Sequence, residues 1–173
     1  MANEAKSNRP GQRSGSRSGG DRSHGRGDKP KPEYDQKILD IRRVARVVRG
    51  GRRFSFSIVL VIGNRQGKVG IGVGKGGDVQ LAMEKAVRDA KKHLLAVNLT
   101  KDFSLPHEVA AKYTSSRVIL RPARGRGVAA GSSARAILIL AGVRDVSAKF
   151  VGKSKNKLNN ARATIKALSE LSS

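Results

Sequence analysis

From residue 34 onward, apolar positions fall into short blocks whose spacing shifts between two and about four. "ILDIRRVARVV" alternates loosely and ends at the turn signal Gly50-Gly51. "FSFSIVLVIG" reads as a strand with Phe54, Phe56, Ile58, Leu60 and Ile62 on one face. "NRQGK" is a short loop and "VGIGVG" a third strand. Asp78 suits a helix N-cap. The helix is expected to run to about Val97, with Val79, Met83, Ala86, Val87, Ala90 and Leu94 at helical spacing. The pattern over 34–100 predicts β-β-β-α, an antiparallel sheet under one helix.

Residues 98–105 connect, and Pro106 marks the edge of a second unit, 101–173. "HEVAAKYTSSRVILRPA" reads as a hairpin turning near Thr114-Ser115. "RGRGVAAGSS" is a glycine-rich loop, after which Ser132 or Ser133 is expected to cap the apolar helix "ARAILILA", stopped by Gly142. "DVSAKFVG" is a strand, and "NNARATIKALSEL" a last helix with Leu158, Ala161, Ile165 and Leu168 inward. The second unit reads β-β-α-β-α. The fold class is α+β: a β-β-β-α domain, then a two-layer β-β-α-β-α domain.

Residues 1–33 are almost without apolar side chains and read as a disordered basic arm, unable to offset its ordering entropy by burial. Charge changes the picture most. The chain has 36 Lys and Arg against 13 Asp and Glu, a formal charge of +23. Such an excess repels itself in a compact state and calls for a polyanion. Both units share it: 14 basic against 5 acidic residues fall in 34–100, and 14 against 4 in 101–173. Six aromatic residues in the whole chain are too few for a protein that reads single strands by stacking, so the charge is aimed at phosphates and shape. There is no cysteine, and His24, His93 and His107 lie far apart, so no metal-ligand spacing is present. No apolar run approaches the roughly 20 residues of a membrane span, and no membrane partner is expected.

"GKVGIGVGKGGD" at 67–78 resembles a phosphate-cradling loop. Gly72, Gly74 and Gly77 satisfy G-x-G-x-x-G, but the glycines lie inside the strand, and no parallel crossover with a terminal acid follows. A triphosphate loop ending at Lys75 would need glycine at 69 and Ser or Thr at 76, where Val69 and Gly76 stand. No carboxylate pair has acid–base spacing. These absences argue against an enzyme and against any cofactor. Gly70, Gly72 and Gly74 leave one strand face bare while Val69, Ile71 and Val73 face a core. The expectation is that RNA backbone approaches at Gly72 and Gly74, beside Lys75, with Lys68 at the strand's start.

Other basic groups cluster. Arg42, Arg43, Arg46, Arg49, Arg52 and Arg53 surround Gly50 and Gly51 in twelve residues, a phosphate-gripping finger. Lys85, Arg88 and Lys92 recur at helical spacing opposite the apolar stripe. Arg117, Arg121, Arg124, Arg126 and Arg135 gather around the glycine-rich loop, and Lys153, Lys155 and Lys157 precede the last helix.

"RRVARVVRGGRRFSFSIVLVIGN", "GKVGIGVGKGGDVQLAMEKAVRDAKK", "SRVILRPARGRGVAAGSSARAILILAGV" and "VGKSKNKLNNARATIKAL" resemble, in order and spacing, the bacterial small ribosomal subunit protein five family. The resemblance spans about 40–170 and implies a two-domain α+β protein whose first domain is similar to a double-stranded-RNA-binding fold. It implies a cytoplasmic, ribosome-bound structural protein that binds small-subunit ribosomal RNA through both domains and contacts ribosomal proteins four and eight. It also implies a place by the messenger RNA entry pore, an influence on decoding accuracy, and a hairpin at Val44–Arg53 near the spectinomycin site in the head–body hinge. Protein contact is implied at Arg124, Gly125, Arg126, Gly127 and Arg135. "GNRQGK" departs from the more acidic loop usual there, and the family's C-terminal extension is missing after Ser173. The rival readings are a free double-stranded-RNA-binding or RNA-chaperone protein outside the ribosome, and a nucleotide-dependent small-molecule kinase on the second domain.

Overall fold

The computed structural model describes residues 33–100 and 102–171; the basic arm lies outside them save for Glu33. Strands β1 (Asp35–Val48), β2 (Gly51–Gly63) and β3 (Lys68–Gly76) form an antiparallel meander. Helix α1 (Val79–Lys92) follows, starting after Asp78, whose backbone is extended but whose side chain makes no capping hydrogen bond. The helix stops at His93, short of the expected Val97, because Leu94–Ala96 leaves it as β4 and pairs with the start of β3.

The glycines of β3 decide how α1 lies. Gly70, Gly72 and Gly74 face the helix, and Ala82, Ala86 and Ala90 fill the space above them with no exposure at all. A Cβ on Gly72 would collide with the Ala86 carbonyl oxygen and stand 2.5 Å from the Ala90 nitrogen. One on Gly74 would collide with the Ala82 carbonyl and stand 2.6 Å from the Ala86 nitrogen. Helix and sheet thus meet almost backbone to backbone. The buried stripe is this alanine row; Val79, Met83, Val87 and Leu94 are only half-buried at its flanks.

Residues 58–63 of β2 are buried on both faces. Leu60 and Ile62 turn toward α1, while Val59 and Val61 join Val69 and Ile71 in a core continued by Leu105, Ile137, Leu138, Leu140 and Val143 from the second half. Both halves therefore belong to one compact unit. The β2–β3 loop binds them further. Arg65 N donates to Leu140 O at 2.9 Å and Gly67 N to Ala141 O at 2.8 Å, satisfying carbonyls that the end of a helix leaves without partners. Gly142 ends that helix in the left-handed region, at φ 89°, with the Arg65 carbonyl where a Cβ would go.

The second sheet has strand order β5-β6-β8-β7 among the described residues. β5 (Val109–Tyr113) and β6 (Ser116–Pro122) form the hairpin expected at Thr114-Ser115. β7 (Val128–Ala129) lies inside the glycine-rich loop, an element absent from the pattern-based expectation. Two residues carry no period, and only the parallel pairing with β8 (Val146–Phe150) reveals it. Helix α2 (Ser132–Ala141) joins them, and α3 (Lys157–Ser169) follows. Gly131 rather than a serine is the N-cap of α2, and Ser133 is buried inside its first turn. α3 is capped by Asn156, whose Oδ1 accepts from Leu158 N at 3.1 Å. No helix among the described residues is long and apolar enough to cross a membrane.

Candidate nucleic-acid interface

Beyond Ile41, the β1–β2 hairpin leaves the core. The six arginines and both turn glycines are exposed, and Val47 is 77% exposed. The projecting part, Arg42–Val48 with its partner strand, is about 20 Å long. Gly51 makes the turn possible at φ 127°, a conformation that side chains resist. The register divides the arginines between two faces. Arg42, Arg46 and Arg53 share one; Arg43 and Arg52 share the other with Phe54 and Phe56. Arg46 stands directly opposite Arg53. Like charges in that position destabilise an antiparallel pair. Arg43 also lies over the Phe54 ring, 3.8 Å from its centroid, which fixes the guanidinium without neutralising it.

Acid enters only at the hairpin's base. Asp40 Oδ2 accepts from Arg42 Nε at 2.7 Å, and its Oδ1 from Lys157 Nζ on α3 at 3.3 Å. Burial raises the Asp40 carboxyl, but the hydrogen bonds and charges of Arg42 and Lys157 outweigh it and hold the group below its ordinary value. A lowered folded-state pKa stabilises above the unfolded-state value and ceases to do so as pH falls through the folded one. Asp40→Asn is therefore expected to cost about 0.5–1 kcal/mol near neutral pH. The difference from wild type should narrow as pH falls below the ordinary carboxylate range, as followed by urea melts across the acid range. A difference that persists there would mean that Asp40 acts by packing and not by charge.

Lys85, Arg88 and Lys92 lie on the exposed side of α1, where Arg88 reaches Glu84 at 3.7 Å. Lys68 and Lys75 are exposed at opposite ends of β3, about 23 Å apart along the strand. Gly72 and Gly74 are not available to RNA. Their bare face is the seat of α1, so the expectation of a phosphate approach there is corrected. The sequence shows that a face is empty but not which backbone fills it; the alanine spacing 82, 86, 90 was the available signal.

The second half distributes its charge differently from the expected cluster. Arg124, Gly125 and Arg126 are exposed in a turn that ends at the half-buried Gly127, and Gly125 and Gly127 have φ of 73° and 66°. Asp145 Oδ1 accepts from Gly127 N at 3.0 Å and anchors it. Arg135 is exposed on α2, and Lys153 and Lys155 are exposed before α3. Arg117 and Arg121 are elsewhere, on the outer face of β6, with Arg121 Nε at 2.9 Å from Glu108. Lys112 and Lys149 join them there, which the sequence reading missed; strand alternation in "VAAKY" and "VSAKF" carried the signal.

Residues 34–98 match the N-terminal domain of ribosomal protein S5, and residues 111–173 match its C-terminal domain. The chain belongs to the ribosomal protein S5 family. Relatives include small ribosomal subunit protein uS5 of Mesomycoplasma hyopneumoniae, 44% identical over 87% of this chain and 69% of that protein. That of Nostoc punctiforme is 48% identical over 84% and 83%. The uS5c protein of Pyropia yezoensis is 50% identical over 80% and 79%. S5 membership makes the chain a structural protein of the small ribosomal subunit and not an enzyme, with the binding of ribosomal RNA and association with ribosomal proteins that this implies. S5 relatives work in ribosomes of the cytoplasm or, for uS5c, of the chloroplast.

Proposed function

We propose that this S5 protein grips small-subunit ribosomal RNA with the β1–β2 hairpin as its principal contact, assisted by the outer side of α1 and by Lys153 and Lys155. The observation that carries this reading is the facing pair Arg46 and Arg53 on a projecting hairpin with no acid between Arg42 and Arg53. A phosphate between the two guanidiniums converts a repulsion into a bridge. The resemblance set out above supports the finer picture. The hairpin lies near the body–head hinge, the protein stands by the messenger entry pore and supports decoding accuracy, and the turn Arg124–Gly127 with Arg135 contacts a neighbouring ribosomal protein, with proteins four and eight as the partners.

Salt titration tests the electrostatic part. Binding of the full chain to transcribed small-subunit ribosomal RNA should weaken with salt along a log–log slope implying about five or more neutralised phosphates. A flat dependence would overturn the reading.

A further inference from the structure

The second sheet carries its helices on one face only. Val118, Leu120, Val146 and Ala148 share a core with Ile137 of α2 and Ala163 and Ala167 of α3. The alternate positions point the other way, and there Lys112, Arg117, Arg121 and Lys149 surround Ile119. The register puts Lys112 directly opposite Arg117, and Ile119 directly opposite Lys149. Arg117 and Arg121 are about 14 Å apart along β6, and the three strands span about 10 Å, so the charges form a flat patch.

This face repeats the device of the hairpin. Like charges opposed across a ladder cost stability. Glu108 answers only Arg121; Lys112, Arg117 and Lys149 have no ion-pair partner among the described residues. The fold thus holds cations together without supplying their anion. A protein partner is disfavoured by the composition: protein interfaces have an apolar or aromatic centre and few lysines, whereas this patch has one half-buried Ile119, no aromatic ring and two lysines. Backbone phosphates suit a flat cationic sheet that offers bases nothing to stack on.

We propose that the open face of the β5-β6-β8 sheet is a second phosphate-binding platform, separate from the hairpin, for the backbone of structured ribosomal RNA. The proposal rests on the rRNA-binding reading above. The full chain is titrated with transcribed small-subunit ribosomal RNA, as wild type, as Lys112→Gln/Lys149→Gln, and as Arg46→Glu/Arg49→Glu. The lysine pair should weaken binding about 10-fold and lower the salt slope by about 2, because each lysine neutralises about one phosphate and releases its counterion. Its effect should add to that of the arginine pair, since separate sites are independent. Lysine acetylation gives a second readout: Lys112 and Lys149 should react more slowly in the RNA complex than in the free chain. If the lysine pair matches wild type in affinity and slope while the arginine pair is weakened, the platform is wrong and the hairpin reading stands. If the lysine pair binds RNA normally but no longer enters subunits, the face meets a protein and the platform is equally wrong. If wild type itself fails to bind, both readings fall.

Discussion

Gly72→Val is expected to unfold the protein, or to leave it so unstable that no cooperative melt survives at physiological temperature. The β3 strand and α1 are separated by no side chain at this point; a Cβ would enter the Ala86 carbonyl and the turn carrying Ala90. Neither obstacle is the tip of a flexible side chain. Both are helix backbone, and moving them means lifting Ala82, Ala86 and Ala90 off the sheet together. Overpacking a tight core costs about 1–3 kcal/mol when side chains can yield; here they cannot, so the cost should exceed about 3 kcal/mol, a large part of the roughly 5–15 kcal/mol typical of a domain. Gly77→Ala is the control within the same glycine run: nothing lies within 4 Å of its added Cβ, and the change should stay within about 0.5 kcal/mol. Circular dichroism melts of the two variants decide the matter. A wild-type melt for Gly72→Val would mean that helix and sheet do not meet as described.

The glycine run shows where sequence reading succeeds and where it stops. Period two in "VGIGVG" correctly sends Val69, Ile71 and Val73 to one side and leaves the other bare. A bare face is compatible with any close backbone, RNA or protein, and only the three-dimensional return of α1 selects between them. The helix end escapes for a related reason. Leu94 continues the helical period, yet its backbone pairs with Gly70, because the β3 edge offers hydrogen bonds that periodicity cannot register. By contrast, the hairpin is legible. Six arginines around two glycines need only local geometry to become a projecting, charged turn. The open face of the second sheet is half legible: Arg117 and Arg121 stand out, but Lys112 and Lys149 join them only through strand register. The link made by Arg65 and Gly67 to the end of α2 leaves no local trace, since the carbonyls they satisfy belong to Leu140 and Ala141, in the other half of the chain.

Reversing two hairpin charges should separate binding from folding, with effects of opposite sign. In Arg46→Glu/Arg49→Glu, the carboxylate introduced at position 46 faces Arg53 across the ladder, where two guanidiniums repel in the wild type. An opposite-charge pair in that position contributes roughly 0.2–1 kcal/mol, so the variant should melt at or slightly above the wild-type temperature. Position 49 lies in the exposed turn, outside both strands, and adds no folding cost. RNA binding should move the other way. Each arginine replaced removes a charge-assisted hydrogen bond of about 1.5–3 kcal/mol, and each carboxylate introduced faces phosphate. The pair should therefore weaken affinity for small-subunit ribosomal RNA by on the order of 100-fold or more at moderate salt and lower the salt slope by about 2. The difference should shrink as salt rises, because screening removes the repulsion that the two carboxylates introduce. A destabilised variant with weak binding would mean that the hairpin arginines serve the fold. A stable variant with wild-type affinity would mean that the facing guanidiniums are merely solvated, and that RNA is held by the rest of the charged surface.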